Sequence, residues 1–209
     1  MREKRALALL VGGLSAAVVV RSAVVPRRWH FPYNLVVGAF AVAVGRLGGL
    51  TVDDLGCSPT RARDGLRVGG AAFGVISAVL GATAVAGLLD DDRTQVSGGE
   101  MALKALVVIP LGTVLVEELS FRGALHGLLA QVTTPARGLV IGSLLFGLWH
   151  LPPIWHEGAG SLAVTFVATA VAGAGFTWLR RRSGSIVAPM FAHLATNSTT
   201  FALSWASNR

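Results

Sequence analysis

The chain has 209 residues, 53 % hydrophobic and 14 % charged, with a mean hydropathy of +0.63 and a net charge of +7. That balance excludes an ordinary soluble domain. The arginines stand in short clusters between apolar stretches with no aromatic-interleaved basic face, which excludes nucleic acid as a partner in favour of a lipid bilayer.

Charge-poor stretches near the length of a bilayer crossing predict helices at about 6–25, 31–50, 68–89, 102–130, 138–156, 160–179 and 184–206. The first follows Met1, Arg2, Glu3, Lys4 and Arg5 and has the shape of a signal peptide. Arg21, Ser22 and Ala23 make a poor cleavage site, so a retained span is expected. Pro26 and Pro32 blur the ends of the first two spans. The third, Val68 to Leu89, and the sixth, Gly158 to Leu179, carry no formal charge. Turn and charge signals separate the spans: Asp53 to Arg67, Asp90 to Arg93, Thr133 to Pro135, Pro152-Pro153, and Arg180 to Gly184. The 26 glycines let helix backbones approach closely where lipid supplies no hydrophobic drive. The expected fold is all-α, a polytopic transmembrane helix bundle of seven or eight helices.

Alternating the connections puts eleven basic residues on the side of the N-terminus and six on the other, which predicts a multi-pass protein of the cell membrane with a cytoplasmic N-terminus. Cys57 is the only cysteine, so neither an intrachain disulfide nor a cysteine-based metal site is available.

Nine of the eleven acidic residues fall in termini or connections, but Glu117 and Glu118 lie deep in the fourth span. An ionisable side chain there costs at least ~2.5 kcal/mol on insertion scales and marks a functional site by default. Neighbours on a helix point about 100° apart, so the two carboxylates should have different tasks. Glu118 has Arg122 at i,i+4, the spacing of a neutralising structural pair. Glu117 has no local cation. His150 in the fifth span and His193 in the seventh lie at nearly its level, at depths of about 21, 18 and 14 Å for Glu117, His150 and His193, taking roughly 1.5 Å per residue. His193, Asn197, Thr200 and Ser204 form a polar stripe that must face protein or water. The bland alternative for any one of these is helix-to-helix hydrogen bonding; His126 reads as packing and His30 and His156 as interfacial.

Together they could hydrolyse a peptide bond. A buried Glu117 would serve as general base to water, with His150 sharing the proton and His193 and Asn197 donating to the oxyanion. Alternatively, Glu117, His150 and His193 would ligate zinc with an open water position. Spacing leaves both open. No H-E-x-x-H helix, no aspartate within a span and no G-x-S-G motif occurs.

The motifs Glu117-Glu118-Leu119-Ser120-Phe121-Arg122, Phe146 to His150 and His193 to Asn197, in this order on late helices, resemble the CPBP family of CAAX-processing and bacteriocin-processing intramembrane proteases, also called Abi or Rce1-like. The resemblance covers about residues 100–205. It divides the chain into generic membrane helices over 1–100 and a catalytic region over 101–209. By motif position it implies that Glu117 is the catalytic carboxylate, with His150, His193 and Asn197 beside it, and that zinc is a possible cofactor with a metal-free mechanism as its alternative. The substrate it implies is a membrane-associated protein or peptide. Two rival functions remain at this level: a catalytically silent immunity or scaffold protein of the same family, and a cation or proton transporter relaying through the buried carboxylates.

Overall fold

The computed structural model describes residues 1–87 and 95–208, which form helices without a strand among them. In chain order these are α1 (Arg2–Ala23), α2 (His30–Leu47), α3 (Ala62–Val85, entered through a 3-10 turn at Pro59–Arg61), α4 (Gly98–Val132), α5 (Pro135–Trp149), α6 (Ala159–Ser183) and α7 (187–207). The predicted order and class are met. The predicted connection Asp90 to Arg93, the end of the third span at Leu88 and Leu89, and Arg209 lie outside the described residues.

Of the seven, α1, Pro59–Val85, α4 and α6 are long and apolar enough to cross a membrane. The other three fall short for visible reasons. α2 carries His30, Asn34 and Arg46, α5 has only 15 residues, and α7 carries His193 and the polar run Thr196 to Thr200. The bundle is a multi-pass membrane fold in which these less apolar helices lie among the longer ones.

Local chemistry sets the helix ends. α4 begins with a side-chain N-cap, the Ser97 hydroxyl accepting from the Glu100 N–H at 3.2 Å. α5 begins at Pro135, with Thr134 as its cap. Its end is fixed by Pro152 and Pro153, which lack the N–H groups that the carbonyls of Leu148 and Trp149 would need. The last turn tightens, His150 N donating to Gly147 O at 3.1 Å and Leu151 N to Leu148 O at 3.2 Å. His150 therefore sits just past the helix and not within it, a correction to the predicted span of 138–156. α6 ends on Gly184, whose φ of +69° is the left-handed conformation of a helix stop.

The central helix is α4. Pro110 interrupts its ladder, and π-helical winding flanks it over Lys104–Val108 and Pro110–Val114, then recurs over Glu118–Leu125. α1 presents Ala6, Leu10, Leu14 and Val18, an i,i+4 line, to the core. Gly38 of α2 packs on Val116, and Gly69 of α3 packs on the Ala188 backbone of α7. α3 is otherwise the outermost helix, with 6 % of its apolar stretch buried. At the end of the bundle opposite Glu117, Arg180 of α6 donates to the carbonyls of Asp53, Asp54 and Arg122, and Ile186 N donates to Gly56 O at 3.0 Å. In the same loop Asp54 accepts from the Thr51 N–H and hydroxyl, each at 2.7 Å, which holds its carboxyl below the usual range.

Candidate active site

Three helices bring Glu117, His150 and His193 together. Glu117 is 4 % exposed and comes from a single α-helical turn, Leu115–Glu117, between two π segments of α4. His150 comes from the tight end of α5, and His193 from the first part of α7. Each imidazole Nε2 lies 3.8 Å from Glu117 Oε2. That oxygen is buried and has no hydrogen-bond partner. A bare carboxylate oxygen at this depth is costly, and its setting requires an explanation.

The other ring nitrogens define the tautomers. His150 Nδ1 is 2.8 Å from Phe146 O, a carbonyl that can only accept, so the proton is on Nδ1. His193 Nδ1 is 2.8 Å from Glu118 Oε1 and donates likewise. In neutral rings both Nε2 atoms then carry a lone pair turned towards Glu117. Phe176 stacks on His193 with centroids 4.9 Å apart at 24°, and Phe146 meets the His150 ring edge-on at 4.7 Å. These contacts fix both rings in place.

Glu118 does more than neutralise Arg122. It is wholly buried, and its Oε1 accepts from Arg122 Nη1 at 3.1 Å as well as from His193. The expectation that Glu117 and Glu118 face different surroundings is modified by the π winding that begins at Glu118, which lessens the rotation per residue. Both carboxylates meet His193, one at each ring nitrogen. Arg122 also donates to Gly173 O at 3.2 Å and lies 4.0 Å above the Phe146 ring. Gly173 permits that approach, since a Cβ there would meet Phe146 at 3.0 Å.

Asn197 stands apart. Its Oδ1 accepts from Thr196 Oγ1 at 3.4 Å, and no hydrogen bond joins it to Glu117 or to either histidine. The π turn over Ala195–Thr199 breaks the i,i+4 alignment on which the predicted stripe relied. The sequence reading also missed Trp149. Its indole N–H donates to Glu117 Oε1 at 3.2 Å, so one carboxylate oxygen is held and the other left bare. The available signal was position: an indole, which must find an acceptor when buried, directly before His150.

Residues 99–199 match the model of the family described as Rce1-like, type II CAAX prenyl endopeptidase Rce1-like. The second half of the chain is therefore similar to the Rce1-like family. The match agrees with the motif resemblance and shows that this part of the chain is similar, at family level, to CAAX-protease-like membrane endopeptidases. Glu117, His150, His193 and Asn197 all lie within the matched residues, whereas α1 to α3 lie outside them. No curated protein and no solved structure matches the chain.

Proposed function

We propose that the chain is an intramembrane endopeptidase that hydrolyses a peptide bond in a membrane-associated protein or peptide, with Glu117 as general base. One observation carries the reading: the buried, unpartnered Glu117 Oε2 faces two imidazole Nε2 atoms at 3.8 Å each. Those three acceptors surround a position suited to a water, which would donate its protons towards them and leave its oxygen lone pair free. As that oxygen attacks the scissile carbonyl carbon, Glu117 takes its proton and later passes it to the leaving amine. Trp149 keeps the carboxylate turned for this by holding Oε1. The developing oxyanion needs a donor, and Asn197 is the residue we assign, because its amide nitrogen donates no hydrogen bond among the described residues and lies one turn beyond His193.

The same atoms have the donor chemistry of a zinc site: two imidazole Nε2 atoms, each on a ring whose Nδ1 is tied to a carbonyl or carboxylate, and one carboxylate oxygen. Glu117, His150 and His193 would hold the ion, which when bound would lower the pKa of its water. In their present positions no three His, Cys, Asp or Glu side chains among the described residues close into a group able to hold a metal. The excess of arginine on the N-terminal side supports a cytoplasmic N-terminus.

Glu117→Gln is expected to abolish cleavage of a membrane-anchored reporter while the protein still folds, since an amide keeps the bond to Trp149. Cleavage surviving in that variant would overturn the mechanism. Metal analysis of the purified protein answers the cofactor question separately: stoichiometric zinc, lost in His150→Ala and His193→Ala, would establish the metal form.

A further inference from the structure

Between α3 and α6 lie Ala71, Ala72, Ala172 and Gly175, small residues of the kind that let membrane helices touch. Here they line a gap. α3 leans instead on α7, where Gly69 packs on the Ala188 backbone, and a groove of about 840 Å³ is left between α3 and α6. Its charged residues, Asp64, Arg67 and Arg182, stand at one end, where α3 begins and α6 finishes. From Asp64 to Ile76, the stretch of α3 along the groove, is about 18 Å at 1.5 Å per residue. One leaflet of a ~30 Å hydrocarbon core is ~15 Å deep, so the groove has the length of a single acyl chain.

A second cavity, of about 360 Å³, adjoins the charged end and shares Asp64 and Arg182 with the groove. Its charges are unequally engaged. Arg180 and Arg181 are spent on backbone carbonyls, and Asp54 accepts from Thr51. The side chains of Arg61, Arg67 and Arg182 make no hydrogen bond or ion pair among the described residues. Asp53 and Asp64 are the carboxylates left to face them, so the balance at the mouth is positive. An apolar slot one leaflet deep therefore opens into a polar pocket with unused guanidinium donors. That is the division of a phospholipid into chain and phosphate, and basic pockets between membrane helices select anionic head groups.

We propose that this gap is a binding site for one anionic phospholipid from the leaflet on the side of the N-terminus: its phosphate sits between Arg67 and Arg182, and one acyl chain runs down the groove. The site goes beyond the endopeptidase reading and does not depend on it. It reaches that candidate active site all the same, because the groove is lined by Phe176, the ring stacked on His193, so the seated chain lies one ring away from the imidazole.

The test counts bound lipid. Native mass spectrometry of the full-length protein, released from a neutral detergent, is run with palmitoyl-oleoyl phosphatidylglycerol and with palmitoyl-oleoyl phosphatidylcholine. The second offers the same phosphate and chains, but its own cation would meet the arginines. One phosphatidylglycerol per chain should be retained, at least about tenfold tighter than phosphatidylcholine, the scale of a charge-assisted contact net of water. Arg67→Gln with Arg182→Gln should bring the two lipids level. Gly175→Leu should weaken phosphatidylglycerol about tenfold by filling the groove while the arginines remain. Thermal unfolding without lipid is the folding control: both arginines are exposed, and a Cβ on Gly175 meets nothing within 4 Å. Equal retention of the two lipids by the unaltered protein would mean ordinary bilayer contact and overturn the site. So would retention of neither lipid, or a phosphatidylglycerol preference that survives in the arginine variant or undiminished binding in Gly175→Leu.

Discussion

Removing the charge of Glu118 would leave Arg122 a buried cation with the Gly173 carbonyl as hydrogen-bond acceptor and only the charge of Glu117, with which it forms no ion pair, to offset it. Breaking a buried pair on one side costs about 3–5 kcal/mol, because the surviving charge stays desolvated. Glu118→Gln should therefore lower the thermal stability of the detergent-solubilised protein strongly. Glu118→Gln combined with Arg122→Met should recover part of the loss, as thermal unfolding of the single and double variants will show. A double variant no more stable than the single would mean that the loss comes from His193 and not from the pair. Glu118 thus has two duties, neutralising Arg122 and holding His193 by Nδ1. Only the first is legible in the sequence, where i,i+4 spacing is visible and the approach of another helix is not. Trp149 is hidden for a related reason: an indole in an apolar run reads as packing until its N–H is seen to face Glu117.

At the scale of the helix, close approach depends on glycines whose neighbours are backbone. A Cβ on Gly69 would lie 2.9 Å from Ala188 Cα and 3.1 Å from Ala188 O, atoms that cannot turn aside. Gly69→Val should force α3 away from α7, which carries His193, at the ~1–3 kcal/mol typical of overpacking. Gly70, one residue on, has nothing within 4 Å of its Cβ position, so Gly70→Val is the matched control. Thermal unfolding should fall for the first and hold for the second; equal effects would mean that helix propensity, not packing, is responsible. The starts and stops of the helices are legible because capping hydroxyls, prolines and glycines act through short-range chemistry. The π segments are not, apart from the one that Pro110 betrays. Their winding depends on tertiary fit, and they decide both that Glu118 reaches His193 and that Asn197 leaves its expected line.

For the whole molecule, hydropathy and charge spacing are enough to read seven helices in order, since bilayer thickness imposes their lengths. They overstate how many of the seven can cross lipid unaided, because α2, α5 and α7 are shorter or more polar and rely on their neighbours. The candidate carboxylate and both histidines are legible as polar groups at one depth. The approach of α1 to the site is not, since Arg21 looks like an ordinary membrane-edge arginine until its guanidinium is found over the Trp149 ring.

The hydrogen bonds of Arg180 have a mechanical consequence. They rivet α6 to α4 and to the loop around Asp53 and Asp54, and Ile186 adds α7 to the same knot through Gly56. Tongs riveted at one end open at the other. The strain of admitting a peptide backbone should then fall on the short turn from His150 to Pro153 and on the tip of α1. Hydrogen exchange should find the Gly56 and Ile186 amides slow and those around His150 and Leu151 fast. Arg180→Gln should loosen the knot and abolish that gradient.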